Sequence, residues 1–153
     1  AVGMAARSSG VDIDTRFDFN DKWYTSLDVV KPFKATGDVH SRFKLRYKEI
    51  KQSMQIVKKL LDKLKEFRNE QILTNPNKTL APNAFAISMT EGWRGEIVHI
   101  ALTGANGELL RYKMKDPSFN NWYMLAMAVR NNGVSDFPLC NKSFNLSYCG
   151  NDL

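Results

Sequence analysis

Residues 91–96 read Glu-Gly-Trp-Arg-Gly-Glu, with Arg94 held between Gly92 and Gly95. A guanidinium stays charged and offers a rigid fork of donors. Flanking glycines let the backbone come close to a cofactor or to another segment. The plainer alternative is a turn in which Arg94 pairs with Glu91 or Glu96. Other chemistry-bearing side chains are sparse. His40 and His99 are the only histidines, so no Ser/His/Asp arrangement can be read. His99 lies in an alternating apolar run with no second ligand nearby, and it reads as a strand histidine rather than a metal ligand. Cys140 and Cys149 are too few for a disulfide scaffold and too far apart for a tight zinc pair. They read as buried small hydrophobes with reduced thiols. There is no P-loop, GxGxxG or HExxH. Residue patterns alone therefore give no catalytic set.

The elements that must position these residues are easier to see. Phe43, Tyr47, Ile50, Met54, Val57, Leu61 and Leu64 alternate spacings of four and three, which predicts one helix over residues 38–68. Its apolar stripe is expected to pack in the core rather than against a coiled-coil partner, since charged e/g pairing is not systematic, with Asp38 capping the start and lysines on the opposite face. Residues 69–83 read as a linker with turns at Asn75-Pro76-Asn77 and Ala81-Pro82-Asn83. Residues 97–102 and 110–115 alternate about the turn Gly104-Ala105-Asn106-Gly107, a β-hairpin, with Phe85–Met89 as a third strand. Asp116-Pro117-Ser118 opens a second helix that Asn131-Asn132-Gly133 stops. Residues 1–37 show no sustained period beyond a short helix at Asn20–Leu27, and residues 134–153 show none. The expected fold is α+β: a long helix and a second helix packed with a small antiparallel sheet, with irregular N- and C-terminal segments.

The chain has 153 residues, which suits a single domain, 1–153. Hydrophobic content of 43% and charged content of 25% are those of a globular protein. No apolar run reaches the ~20 residues of a membrane span, and no signal peptide is expected. The first residue is Ala1 rather than Met, so the chain is expected to be a piece of something larger. The net charge of +6 speaks to solubility and partners rather than to fold.

Four stretches, in order, resemble one superfamily: the large subunit of nickel–iron hydrogenases and the quinone-site subunit of respiratory NADH–quinone oxidoreductase, or complex I. The first is Ala6-Arg7-Ser8-Ser9-Gly10-Val11-Asp12-Ile13-Asp14-Thr15-Arg16, which is similar to the complex I segment in which Arg, Ser and Gly precede Asp-x-Arg. The second is Gly37-Asp38-Val39-His40-Ser41-Arg42-Phe43, continued by Arg46, Glu49, Gln52 and Ser53. It resembles the family's Gly-Asp-x-x-x-Arg helix start and its Arg-x-x-Glu-x-x-Gln-Ser continuation. The third is Glu91-Gly92-Trp93-Arg94-Gly95-Glu96, with Trp93 where the family commonly has Pro. The fourth is Asp116-Pro117-Ser118-Phe119, similar to the segment entering the family's last helix. The tail resembles that of the group-four hydrogenases, the membrane-bound and formate-linked enzymes, except that Ser147 and Gly150 stand at its two cysteine positions.

The resemblance implies a C-terminal fragment of a longer subunit. In the hydrogenases the arginine matching Arg94 hangs over the nickel–iron site. Arg7, Asp14, Arg16, Arg94 and Asp152 are the implied cavity-lining residues. Asp38, Arg42, Arg46 and Glu49 are expected to form structural ion pairs along the helix. No metal site and no cofactor are expected in the fragment, which would not be active alone. The parent would be an oxidoreductase working beside iron–sulfur clusters of a small subunit, with quinone as a candidate acceptor. It would sit among other subunits on the cytoplasmic face of the inner membrane without spanning it. The alternative reading is a basic interaction module, since residues 42–68 bring ten Lys/Arg against three acids. The missing aromatic-plus-Gly recognition pattern argues against nucleic acid.

Overall fold

A computed structural model describes residues 1–19, 24, 26–67 and 79–149. Its elements, in chain order, are α1 (Gly3–Ser8), α2 (Thr15–Asp18) and α3 (Val39–Leu64), the last prolonged by a 3-10 turn (Lys65–Phe67). Then come β1 (Phe85–Gly92), β2 (Gly95–Thr103), β3 (Leu109–Lys115), α4 (Ser118–Ala128), a 3-10 turn (Val134–Asp136) and α5 (Phe137–Phe144). The class is α+β, as the periodicities predict. The helix expected at Asn20–Leu27 and the turn at Asn75-Pro76-Asn77 fall largely or wholly outside the described residues.

The long helix begins where Asp38 Oδ1 accepts the Ser41 amide N–H at 2.6 Å. That bond satisfies one of the free donors of the first turn. Its apolar stripe does not enter the core. Phe43, Tyr47, Ile50, Met54, Val57, Leu61 and Leu64 are all exposed, from 42% at Ile50 to 68% at Met54. The face turned inward carries Ser41, Arg42 and Leu45, fully buried, and then Arg46, Glu49, Gln52 and Ile56, half-buried. This inversion has a physical reason: the inner face is polar because it hydrogen-bonds to α1 and α5, so its packing is specified by charge rather than by apolar period. The expected ion pairs along the helix are likewise corrected. Asp38 caps, and Arg42 donates to Gly37 O at 2.6 Å and Ser143 Oγ at 2.8 Å. Glu49 pairs with Arg7, so the polar bonds of this helix run across elements.

The sheet is antiparallel in the order β1-β2-β3. The predicted β2–β3 hairpin is present, with a register shift at Leu102/Thr103. The third strand runs further than expected, and Glu91 faces Glu96 while Gly92 faces Gly95. Trp93-Arg94 is therefore a two-residue hairpin turn joining β1 to β2 rather than the lead-in to a strand. Gly95 has φ +135 there, a conformation that favours glycine. It also permits close approach of another segment: a Cβ added at Gly3 would lie 2.2 Å from Gly95 Cα.

The apolar core lies between α1, α4, α5 and the tail. Ala5, Leu125, Cys140, Phe144 and Leu146 form one buried cluster, with Trp122, Met124, Ala128 and Val129 packed against it. Among the described residues, both terminal regions hold helices that the sequence reading did not expect. The segment 1–37 contains α1 and α2, and the tail contains α5, each too short to display a period. Cys140 is buried as expected, but Cys149 is exposed.

Candidate functional site

Arg7 is the centre of the site. It lies on α1, 2% exposed, and its guanidinium reaches partners from three other segments. Nη2 donates to Glu49 Oε1 at 2.6 Å, and Nη1 donates to Glu91 Oε1 at 2.8 Å and to Ile13 O at 3.1 Å. Asp14 Oδ2 completes the ring at 3.2 Å from Nη1. Asp14 is the N-cap of α2 and is fully buried. Its two oxygens take the Arg16 fork, Nε at 2.9 Å and Nη2 at 2.6 Å, while Oδ1 also accepts the Arg16 amide at 3.1 Å. Glu91 Oε2 accepts the Thr15 amide at 3.2 Å, which ties β1 to α2.

The electrostatics follow from this geometry. Burial by itself lowers the proton affinity of Arg7, but Glu49, Glu91 and Asp14 outweigh it and raise its pKa above the ordinary value. Burial by itself raises Asp14, but the Arg16 hydrogen bond and the charges of Arg7 and Arg16 outweigh it and hold the carboxyl below its usual range. Arg46 adds a third cation nearby. Burial lowers its pKa, with Glu49 opposing and Arg94 adding to the shift. Its guanidinium sits 5.1 Å from the Trp93 ring centroid. Two guanidiniums, Arg7 and Arg16, thus answer three carboxylates, with Arg46 alongside donating to Phe144 O at 3.5 Å. Such a network orients its members and lowers reorganisation, rather than leaving one free acid or base. Two polar atoms in it, Arg7 Nε and Thr15 Oγ1, are buried without a partner.

A cavity of about 270 Å³ opens beside the cluster. Arg7, Arg16, Glu49 and Glu91 form its charged side, and Tyr24, Ile56 and Trp93 its other wall. Arg94 is near but turned elsewhere. Its Nε donates to Asn145 O at 2.5 Å, and its carbonyl accepts Asn121 Nδ2 at 3.1 Å. The pairing of Arg94 with Glu91 or Glu96 is thereby corrected: Glu91 is already engaged by Arg7, and Arg94 instead fixes the hairpin turn to the tail. Asn121 is the anchor behind this, since its side chain also bonds the Val2 amide and carbonyl at 3.0 and 3.2 Å.

The structure therefore brings together Arg7, Asp14 and Arg16, and it places Arg94 on the adjoining turn. Asp152 lies outside the described residues. Sequence reasoning missed Glu49 and Glu91 as members of the cluster. A signal existed, because Arg42, Arg46, Glu49 and Gln52 repeat at helical spacing and mark a polar inner face. His99 is bonded through Nδ1 to Tyr112 OH on the sheet surface, away from this site. Among the described residues no group of three or more His, Cys, Asp or Glu side chains stands ready to hold a metal ion.

Comparison with known proteins places this arrangement in a family. Residues 1–87 match the family described as "Respiratory-chain NADH dehydrogenase, 49 Kd subunit". Hydrogenase-4 component G of Escherichia coli (strain K12) is 31% identical over 97% of this chain and 27% of its own length. Formate hydrogenlyase subunit 5 of the same organism is 32% identical over 99% of this chain and 26% of its own length. An NADH-quinone oxidoreductase subunit of Roseiflexus sp. (strain RS-1) is 29% identical over 88% of this chain and 38% of its own length. The chain thus spans about a quarter to two-fifths of these relatives. The fold recurs, with TM-score 0.83 and 20% identity over 100% of this chain and 42% of the other, in the structure of the membrane-bound sulfane sulfur reductase, an archaeal respiratory membrane complex. With the family match covering more than half of its residues, the chain belongs to the respiratory-chain NADH dehydrogenase 49 Kd subunit family.

Proposed function

We propose that these residues are the C-terminal portion of a longer large subunit in an electron-transfer complex of the hydrogenase or NADH–quinone oxidoreductase type. In this reading 1–153 is one domain that lines the subunit's cavity without completing an active site. The observation that carries it is Arg7, a buried guanidinium that gathers Asp14, Glu49 and Glu91 beside the turn bearing Arg94. Arg7 and Arg16 line the cavity, Asp14 holds Arg16 from behind, and Arg94 stands on the adjoining turn; Asp152 is proposed with them from the family resemblance alone. The names of the relatives support the complex. Among the described residues no helix is long and apolar enough to cross a membrane, which is compatible with a peripheral subunit on the cytoplasmic face.

The residues present do not fit a nickel–iron centre. Such a centre needs soft thiolate ligands. Ser147 stands at one of the two tail positions, where its amide bonds Ser118 Oγ at 3.0 Å and its carbonyl accepts Trp122 Nε1 at 3.1 Å. The other position is Gly150, which has no side chain. Cys140 is buried against Arg42 Nη2 at 3.8 Å, in the core rather than at the cavity. Electrons would come from iron–sulfur clusters of a neighbouring small subunit, with quinone the candidate acceptor.

The test is the nickel and iron content of the full-length parent, purified with its neighbouring subunits and measured by mass spectrometry. Iron at iron–sulfur levels without nickel is expected. Near-stoichiometric nickel would overturn the assignment of Ser147 and Gly150. The fragment alone should show neither hydrogen uptake nor quinone reduction.

A further inference from the structure

β3 is one edge of the sheet, and every residue from Leu109 to Met114 is exposed. An edge strand presents unpaired N–H and C=O groups, a template for another strand. The opposite edge is partly engaged, because Glu91 near the end of β1 accepts the Thr15 amide of α2. The register shows what each side of β3 offers. On one side three rows cross the sheet: Phe85–Leu102–Arg111, Ile87–Ile100–Lys113 and Met89–Val98–Lys115. Each row holds two apolar residues and ends in a cation at the edge. Alternate residues of a strand stand ~7 Å apart, so the three cations form a straight ladder. Among the described residues none of the three forms an ion pair. On the other side Leu110, Tyr112 and Met114 are 59%, 53% and 38% exposed, with the Tyr112 hydroxyl bonded to His99 Nδ1. Exposed apolar side chains rimmed by charge mark a contact surface.

We propose that β3 is a docking edge: it receives an extended segment of a neighbouring subunit, with Asp or Glu at every second position facing Arg111, Lys113 and Lys115, and apolar residues between them beside Leu110, Tyr112 and Met114. The inference rests on the reading of the chain as part of a multi-subunit complex. Charge selects the occupant. A second copy of β3 paired in register would set cation against cation, and directly opposed like charges are unfavourable. Lysines on an edge discourage such self-pairing. A strand with alternating carboxylates meets the same ladder as cross-strand ion pairs. Its main chain satisfies the open amides and carbonyls of β3, which gives affinity, while the alternation of acid and apolar residues gives register and direction. A slip of one residue would turn every carboxylate to the apolar side.

The experiment uses the native protein at its natural length, purified under mild conditions. Its subunit content is measured first, and a protein that purifies without other subunits would overturn the complex reading and the docking edge with it. Hydrogen exchange then follows the alternate amides of β3 that point away from β2. In the complex they should be protected like the amides of β2, which is paired on both sides. Exchange at the rate of unpaired amides, in a protein that does carry other subunits, would overturn the docking edge alone. Carbodiimide cross-linking identifies the occupant. Links from Lys113 or Lys115 to acidic residues of another subunit support the proposal. Links to a second copy, or to the same subunit, overturn it in favour of that occupant. Lys113→Glu with Lys115→Glu tests the charge ladder, with β2 as the control for folding. Loss of β3 protection while β2 stays protected is expected, and unchanged β3 protection would overturn the acidic assignment.

Discussion

At the scale of single residues, the site depends on one cation and the three carboxylates around it. Replacing Arg7 by Leu would leave Glu49 and Glu91 without their close cation in a partly desolvated pocket, while Asp14 keeps the Arg16 fork. The expected cost is about 3–5 kcal/mol in urea unfolding, the usual penalty for removing one partner of a buried pair. Arg7→Lys should recover only part of this, because an ammonium lacks the planar fork that reaches Glu49 and Glu91 together. Asp14 adds a pH dependence. Its pKa is depressed in the folded chain, so it stabilises the fold above the ordinary carboxylate range and loses that contribution as pH falls through its lower folded value. The stability gap between the wild type and Asp14→Asn should therefore be widest near neutrality and shrink below about pH 4 in thermal melts. The cysteines separate by exposure. Cys149 should react with a thiol reagent in the native chain, and Cys140 only after unfolding.

At the scale of elements, the hairpin turn is the part that geometry constrains most. Gly3, at φ +61, packs against Gly95 with no room for a methyl group. Gly3→Ala should cost more than about 1–3 kcal/mol, read as a drop in denaturation midpoint, because strain and a backbone clash add. By contrast, Leu61→Lys on the outer face of α3 should change the stability of the 153-residue chain by only about 0.5 kcal/mol or less. These two positions show what the sequence could tell. The long helix, its Asp38 cap, the β2–β3 hairpin and the start of α4 were all legible, since each has a local signature in period or turn chemistry. The direction of α3 was not, because periodicity marks a face without saying which segment covers it. α1 and α5 were hidden because a helix of six or eight residues holds barely two turns. Arg7, Asp14 and Arg16 entered through a family resemblance. Glu49 and Glu91 joined them only in three dimensions.

At the scale of the whole molecule, the charged cluster and the apolar face of α3 meet at Ser53, Val57 and Trp93, while the small apolar core lies among α1, α4, α5 and the tail. Mobility-shift titration should detect no complex with nucleic acid even at low salt, because the lysines of α3 flank a mainly aliphatic stripe in which Phe43, Tyr47 and Phe67 are the exposed aromatics. The link between Arg7 and Glu91 spans 84 positions in the chain. During synthesis Arg7 leaves the ribosome long before its carboxylate partner exists outside the tunnel. Its buried position cannot be occupied until β1 has emerged. The cluster is thus a late event with a high loop-closure cost, and folding of this subunit should be slow for its size. A ribosome stalled before Glu91 would hold a nascent chain whose α1 cation is still in water, a state open to chaperones and proteases and closed only by the arrival of the Glu91–Glu96 turn.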